Sequence, residues 1–517
     1  MTPPQKKRSK ILIIDFGSQY TQLIARKIRE SKVYCEIYAF NSDIEKIKNF
    51  EPDGIILSGG PSSVYDKGAP IISKDIFQLG VPFLGICYGM QIMAHLLGGK
   101  VMPAKNREYG HSKLEIINRS KILAGCGKSS LVWMSHGDLI VKIPDGFVIN
   151  AQTETCDTAS FENPGKKIYG VQFHPEVAHT QCGTKILNNF LFDVVKVKGD
   201  WELEDFISGK IREIKELAGG SKAICALSGG VDSTVTAVIA AKALSGRLKC
   251  IFIDNGLLRE DEAKSVMKYY EENLNLNVKS VDASKLFLKE LKGVADPERK
   301  RKIIGKLFIK VFEKEAKKIK DAHFLVQGTL YPDVIESVKV FGASSVIKSH
   351  HNVGGLPKKL NLKLIEPLRE LFKDEVRIIG KSLRVPEEII KRQPFPGPGL
   401  AIRIIGEVDK RRLEILRRAD KIVTEEIKKA GLYEKIWQSF PVLIPVKTVG
   451  VMGDKRSYES LIAIRAVTSS DGMTADFVKL DYDILRICSS RIISEIKGIN
   501  RVVYDVTSKP PSTIEWE

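Results

Sequence analysis

Cys87 sits inside Gly85-Ile86-Cys87-Tyr88-Gly89, directly after the apolar run Pro82-Phe83-Leu84 and ahead of a helix-like stretch that begins at Met90. Small residues on either side of a nucleophile tolerate the strained strand-to-helix turn that exposes it. The helix N-terminus that follows stabilises a thiolate and a developing oxyanion. A thiolate needs a base, and the base needs an orienting partner. His174 ends the strand-like Tyr169-Gly170-Val171-Gln172-Phe173 within His174-Pro175-Glu176, where the proline holds the chain extended and lets the carboxylate point back at the imidazole. Taken singly, the cysteine reads as an inert strand-end thiol and the tripeptide as a strand-end histidine with a solvated glutamate. Taken together, they read as a Cys-His-Glu set for nucleophilic attack on an acyl or amide carbon.

A second chemical segment follows the strand-like Ala223-Ile224-Cys225-Ala226-Leu227. Ser228-Gly229-Gly230-Val231-Asp232-Ser233-Thr234 runs into a helix pattern. Its glycines allow close backbone approach, its hydroxyls add donors, and the helix N-terminus attracts an anion, so the loop suits a phosphate chain. The lysine of a Walker loop is missing, so ordinary γ-phosphate transfer is not indicated. The plain alternative is a glycine-rich turn with a Ser/Asp cap.

The elements that must carry these groups follow from hydrophobic periodicity. From Lys10 to about Val195, short apolar runs alternate with helix-like segments such as Gln19 to Ser31, predicting a parallel α/β sheet covered on both faces. Val197 to Trp201 interrupts that pattern. A helix from Glu202 to Leu217 then leads into a second α/β unit, which includes a long basic helical stretch from Lys285 to Lys320. The turn-rich Arg392 to Gly399, with three prolines and two glycines, forms a rigid joint before a helix from Lys410 to Ala430 and a set of strands with α+β character. The expected partition is a disordered tail at 1–9, one α/β domain at 10–198, another at 199–396 and an α+β domain at 397–517.

The chain has 517 residues with a net charge of +18, 43% hydrophobic and 28% charged, which excludes collagenous, disordered and membrane-embedded classes. Such a balance favours polyanionic partners, among them nucleic acid, anionic membrane and small phosphorylated substrates. The eight cysteines form no CxxC pair, so zinc knuckles and redox dithiols are not expected. Reduced thiols, no apolar leader before Ile11 and no run of 18 apolar residues point to the cytosol. Lys6-Lys7-Arg8 reads as a frayed, solvated tail.

With Ser58-Gly59-Gly60-Pro61 added, the set Cys87, His174, Glu176 resembles class I glutamine amidotransferases over the first 195 residues or so, with a flavodoxin-like fold. The resemblance implies that Cys87 attacks the glutamine amide, His174 moves the proton and Glu176 orients the ring. It implies an oxyanion hole near Gly60 and Tyr88, and substrate contacts at Gln91, Ser135 and His136 in Trp133-Met134-Ser135-His136-Gly137-Asp138. A base role for His136 is the lesser reading, since it falls in an expected loop with only Asp138 as a nearby carboxylate.

The loop at 228–234 resembles the pyrophosphate loop of N-type ATP pyrophosphatases, which have an adenine nucleotide α-hydrolase-like fold. There Asp232 would lie near Mg²⁺, Ser233 near the pyrophosphate, Ile253 near the adenine, and Gly328-Thr329 would close the pocket. The segments Arg392 to Arg403, Lys348 to Gly355 and Ser508 to Glu517 extend the likeness to the glutamine-hydrolysing GMP synthase family. That family implies ATP, glutamine and xanthosine 5′-phosphate (XMP) as substrates, with Mg²⁺. It implies XMP contacts at Arg301, Gln438, Asp454, Lys509 and Glu515, a lid with Lys348, His350 and His351, and a homodimer formed by the last domain. Neither nucleic acid nor membrane is an expected partner. A tRNA-modifying enzyme is the rival class, because relatives of the 228–234 loop adenylate tRNA bases, but it would leave the glutaminase unused.

Overall fold

The computed structural model describes residues 8–337, 362–452, 455–469, 472 and 474–517. Two compact units are present, one running to Leu203 and the other taking up the chain at Glu204.

In the first unit, β1 (Lys10–Asp15), β2 (Tyr34–Ala39), β3 (Gly54–Leu57), β4 (Phe83–Ile86) and β9 (Ile168–Val171) form a parallel sheet in the order β2-β1-β3-β4-β9. Ile11, Leu12, Ile13 and Ile14 are fully buried in succession. A continuous apolar run of this kind marks a strand covered on both faces. Four further strands extend the same sheet in antiparallel fashion: β8 (Ser160–Asn163), β7 (Val148–Gln152), β5 (Lys100–Ile116) and β6 (Ser129–Lys142). Their connections lack helices, and β6 alternates buried and more open residues along its length, as a strand with one wet face does. The expected parallel α/β sheet is therefore one half of a nine-stranded mixed sheet.

The second unit centres on a five-stranded parallel sheet in the order β12-β11-β10-β13-β14, built from β10 (Lys222–Leu227), β11 (Leu248–Asp254), β12 (Val278–Asp282), β13 (Ala322–Val326) and β14 (Lys363–Ile365). Strand order reverses on the two sides of β10, so the loop leaving it lies at a topological switch point, where open α/β sheets bind ligands. The basic stretch expected as one helix is two, Ser284–Leu291 and Pro297–Ala316. Gly293 at φ +75° breaks the first, and Asp296 starts the second by accepting the Arg299 amide at 2.7 Å, with Pro297 in the first turn.

The helix Lys410–Lys429 packs on a mixed sheet of β15 (Gln438–Met452), β16 (Lys455–Thr468), β17 (Asp476–Phe477) and β18 (Ile499–Tyr504). One apolar cluster runs from Ile224 and Ile251 through Leu307, Leu400 and Leu416 to Leu443 and Ile462. Residues from the expected 199–396 and 397–517 domains thus share a core.

Two details touch the expected tail and linker. The Arg8 guanidinium stacks 4.6 Å from the Trp201 ring, with Arg29 on the same ring at 4.5 Å, and Ser9 Oγ accepts the Lys198 amide at 3.0 Å. Arg8 and Ser9 are therefore held against Val197 to Trp201 rather than frayed, because the aromatic face attracts a cation that would otherwise stay in water.

Candidate active sites

Cys87 leaves β4 with φ 52° and ψ −110° and opens the helix Tyr88–Leu96. A residue other than glycine at positive φ stores strain and needs close-fitting neighbours to persist. A methyl group on Gly85 would stand 2.3 Å from Met93 Cε, and one on Gly89 would stand 2.2 Å from the Leu57 carbonyl oxygen, so the flanking glycines are required by packing. The Cys87 amide donates to Val171 O at 2.8 Å, which ties the turn to β9. Cys87 Sγ lies 3.6 Å from the Ser135 carbonyl oxygen and 3.7 Å from Gln172 Nε2.

His174 and Glu176 are both buried, and His174 Nδ1 lies 2.7 Å from Glu176 Oε1. The Tyr20 ring meets the imidazole edge-on at 5.0 Å, and a methyl on Gly59 would touch His174 Cε1 at 3.1 Å, so the ring is confined on both sides. Burial disfavours charge on His174, but the Glu176 carboxylate and the Cys87 sulfur outweigh it and raise its pKa well above the ordinary value. The imidazolium is thereby the favoured partner for a thiolate. A methyl on Gly60 would stand 2.9 Å from Phe16 O and 3.1 Å from the Tyr88 ring, so the backbone passes these groups closely.

The expected glutamine contacts fall around this thiol. Gln91 is buried and donates from Nε2 to Asp138 O at 3.1 Å and to Gln172 Oε1 at 3.2 Å. His136 corrects its expectation twice. It lies in β6 rather than in a loop, and its carboxylate partner is Glu108, with Nε2 to Oε2 at 3.2 Å. The Asp138 side chain instead accepts from Ser63 and Tyr65, each at 2.5 Å. The polar run Ser135-His136-Gly137-Asp138 interrupts the apolar pattern of β6 although burial keeps alternating through it, and Glu108 comes from the paired strand β5. Burial pushes the Glu108 carboxyl up, but bonds from His136 and Ser112 bring it down to about 2. Gln172, fully buried, was also missed. Its position two residues before His174, within the strand expected at 169–173, was the signal available in the sequence.

In the second unit, Ser228 follows β10 and its amide donates to Ser233 Oγ at 3.2 Å, while Thr234 Oγ1 donates to Gly230 O at 2.8 Å. Gly229 adopts φ +81°, and Arg392 donates to its carbonyl at 3.0 Å. Gly230 supplies no side-chain cap, and Val231 begins the helix Val231–Leu244. This leaves the first turn of the helix facing outward from the switch point, where its dipole favours an anion. Ile253 lies buried on the neighbouring β11. Gly328 follows β13, where a methyl would stand 3.0 Å from Thr236 Oγ1 and 3.2 Å from Asp232 O. Asp232 Oδ2 lies 3.5 Å from Lys373 Nζ, whereas the buried Asp232 Oδ1 has no hydrogen-bond partner among the described residues. An oxygen in that state fits a divalent cation.

Of the expected XMP contacts, Arg301, Gln438 and Glu515 converge on the tail. Gln438 Nε2 donates to Glu515 Oε1 at 2.7 Å and to Pro394 O at 3.1 Å. Arg403, fully buried, grips both Glu515 oxygens, from Nη2 at 2.9 Å and Nε at 3.1 Å. Arg301 Nη2 donates to Glu517 O. Lys509 Nζ donates to Gly472 O at 2.7 Å, and its main chain pairs with Ala475. Asp454, Lys348, His350 and His351 lie outside the described residues. All eight cysteines are buried, and none forms a disulfide.

A strained cysteine elbow with a buried His-Glu pair, joined in one chain to a switch-point phosphate loop, defines a glutamine amidotransferase coupled to an ATP-cleaving synthetase. Family models agree: "Glutamine amidotransferase class-I" matches residues 12–194, "NAD synthase" matches 201–303, and "GMP synthase C terminal domain" matches 425–516. Three curated relatives described as "GMP synthase [glutamine-hydrolyzing]" align almost end to end. That from Brachyspira hyodysenteriae is 58% identical over 99% of this chain and 100% of its own. That from Aquifex aeolicus is 58% identical over 99% and 100%, and that from Carboxydothermus hydrogenoformans 56% identical over 98% and 100%. The chain belongs to the glutamine-hydrolysing GMP synthase family. It is a ligase with ATP as co-substrate: ATP adenylates the C2 oxygen of XMP, and ammonia released from glutamine displaces AMP to give GMP, with pyrophosphate and glutamate.

Proposed function

We propose the following division of that reaction among the residues of the chain. The Cys87 thiolate attacks the side-chain carbonyl carbon of glutamine, and His174 gives its proton to the departing ammonia. Water, deprotonated by the same imidazole, then hydrolyses the thioester to glutamate. Glu176 holds the ring, backbone amides near Gly60 and Tyr88 take the oxyanion, and Gln91, Ser135 and His136 hold the amino and carboxylate groups of glutamine. The observation that carries this reading is the buried 2.7 Å His174–Glu176 contact beside a cysteine at φ 52°.

At the second site, residues 228–234 cradle the phosphates of ATP, Ser233 faces the pyrophosphate, Ile253 the adenine, and Gly328 closes the pocket. Asp232 would hold Mg²⁺ through its unpartnered Oδ1, and the ion would neutralise charge on the leaving pyrophosphate. Arg301 and Lys509 suit the XMP phosphate, while Gln438, Asp454 and Glu515 suit its base and ribose, under a lid carrying Lys348, His350 and His351.

The domains are assigned as 10–198 for the glutaminase, 199–396 for the ATP pyrophosphatase and 397–517 for XMP binding and dimerisation. A homodimer is supported by exposed apolar residues on one face of the last sheet, where Val449 pairs across the strands with Tyr458 and Val451 lies two residues on. The partners are small molecules and a second copy, with neither nucleic acid nor membrane. The cytosol is the assigned compartment, and no helix among the described residues is long and apolar enough to cross a membrane.

The test is Cys87→Ala. Glutamine-dependent GMP formation should disappear while formation with added ammonium salt persists, measured as GMP produced from XMP. Loss of both activities would sink the two-site assignment.

A further inference from the structure

Lys300 is fully buried, in a basic helix whose other lysines and arginines are at least partly open to solvent. A buried ammonium persists only when its charge is paired and its three protons are taken up. Here all three are. Lys300 Nζ donates to Ala401 O at 3.1 Å, to Ile404 O at 2.8 Å and to Glu517 Oε2. The other carboxylate oxygen of Glu517 accepts the Gly406 amide at 3.0 Å, so both oxygens of this group are engaged. Burial pulls the Lys300 ammonium below its ordinary pKa, and Glu517 opposes that shift without cancelling it.

The placement of the three acceptors is what matters. Ala401 and Ile404 bracket Arg403, the residue that grips Glu515 through two hydrogen bonds. Glu517 lies two residues beyond Glu515 on the tail, and its main-chain oxygen accepts from Arg301, the helix neighbour of Lys300. One buried cation therefore joins the turn that carries Arg403, the tail that carries Glu515 and the helix that carries Arg301.

We infer that the Lys300–Glu517 pair is a positioning lock for XMP, holding Arg301 and Glu515 in register with each other. The inference rests on the reading of Arg301 and Glu515 as XMP contacts. The pair does not itself touch the substrate. Its loss would loosen two contacts at once while leaving the ATP loop, carried by β10 and the helix Val231–Leu244, in place.

The experiment uses the full-length enzyme with ammonium as nitrogen source, varying XMP and ATP separately. Glu517→Ala should raise KM for XMP by about tenfold or more, as expected when a buried charge loses its partner and the groups it positions are released. KM for ATP should stay within about twofold. Glu517→Gln keeps one acceptor oxygen in place of two, enough for either the Lys300 ammonium or the Gly406 amide at its present position, and should recover part of the loss. An unchanged KM for XMP in Glu517→Ala overturns the lock. Parallel rises in both KM values, with a lowered Tm, also overturn it, because a merely structural role would act on both substrates. Lys300→Met, which removes the cation, should reproduce the Glu517→Ala pattern if it folds, and the Glu517 variants decide the matter if it does not. Arg301→Ala run alongside separates the two ideas. If it leaves KM for XMP unchanged, the substrate reading of Arg301 fails. If it raises that KM while Glu517→Ala does not, the lock alone fails.

Discussion

His174 Nδ1 lies 2.7 Å from Glu176 Oε1 across a single proline, and the second oxygen of Glu176 is buried with no hydrogen-bond partner among the described residues. The carboxylate thus spends its charge on one imidazole. The chain turns at Pro175 and Glu176 instead of running extended through them as expected, and that turn brings the carboxylate back to the imidazole.

A pH dependence follows from that contact. Burial works against the imidazolium, and Glu176 with Cys87 raises the His174 pKa above 6.5 in spite of it. Glutaminase activity that needs the imidazolium should persist to higher pH than an ordinary histidine allows. Glu176→Gln should move the basic limb of kcat/KM for glutamine down by about one pH unit or more. The sign for stability is the same. A raised pKa contributes stability that is complete below the unfolded value and fades as pH climbs through the folded one, so the variant should lose Tm at pH 6. An unmoved basic limb would show that the pair does not set the titration.

Asp232 offers a separate test at the ATP site. Asp232→Asn keeps the size of the side chain and removes the charge that would meet a cation. Pyrophosphate release should fall by about a hundredfold or more with either glutamine or ammonium, with a raised Mg²⁺ requirement. Unchanged release would remove Asp232 from the site.

Gly89→Ala probes the elbow itself. The added methyl would fall 2.2 Å from the Leu57 carbonyl oxygen, a backbone atom that cannot rotate away. Overpacking of this kind costs about 1–3 kcal/mol. The helix carrying Tyr88 should shift, so glutaminase activity should fall while ammonium-supported synthesis survives, and Tm should drop. A variant with full glutaminase activity would mean that the turn adjusts without displacing Cys87.

The chemistry was legible where it is local. Cys87 with its glycines, His174 with Glu176, and the loop from Ser228 to Thr234 are each a short segment whose residue types dictate a backbone shape and a charge distribution. Short apolar runs between helices likewise foretold the five parallel strands of the first sheet and the parallel sheet of the second unit, since a strand covered on both faces must be apolar throughout, but not the four antiparallel strands that extend the first sheet. Gly293, Asp296 and Pro297 carry local signals of a break too, but the basic composition on either side reads as continuous.

Other relationships depended on segments far apart in the chain. Glu108 reaches His136 only because β5 and β6 pair in one register, and no local pattern encodes a partner 28 residues away. Lys300 looks like its solvated neighbours until Ala401, Ile404 and Glu517 close around it from more than a hundred residues downstream. The sequence by itself determined the reactive groups, the helix and strand periods and the family. Tertiary structure alone decided which charges are buried and what each one holds, because desolvation and pairing depend on what surrounds a group in space, not on its neighbours along the chain.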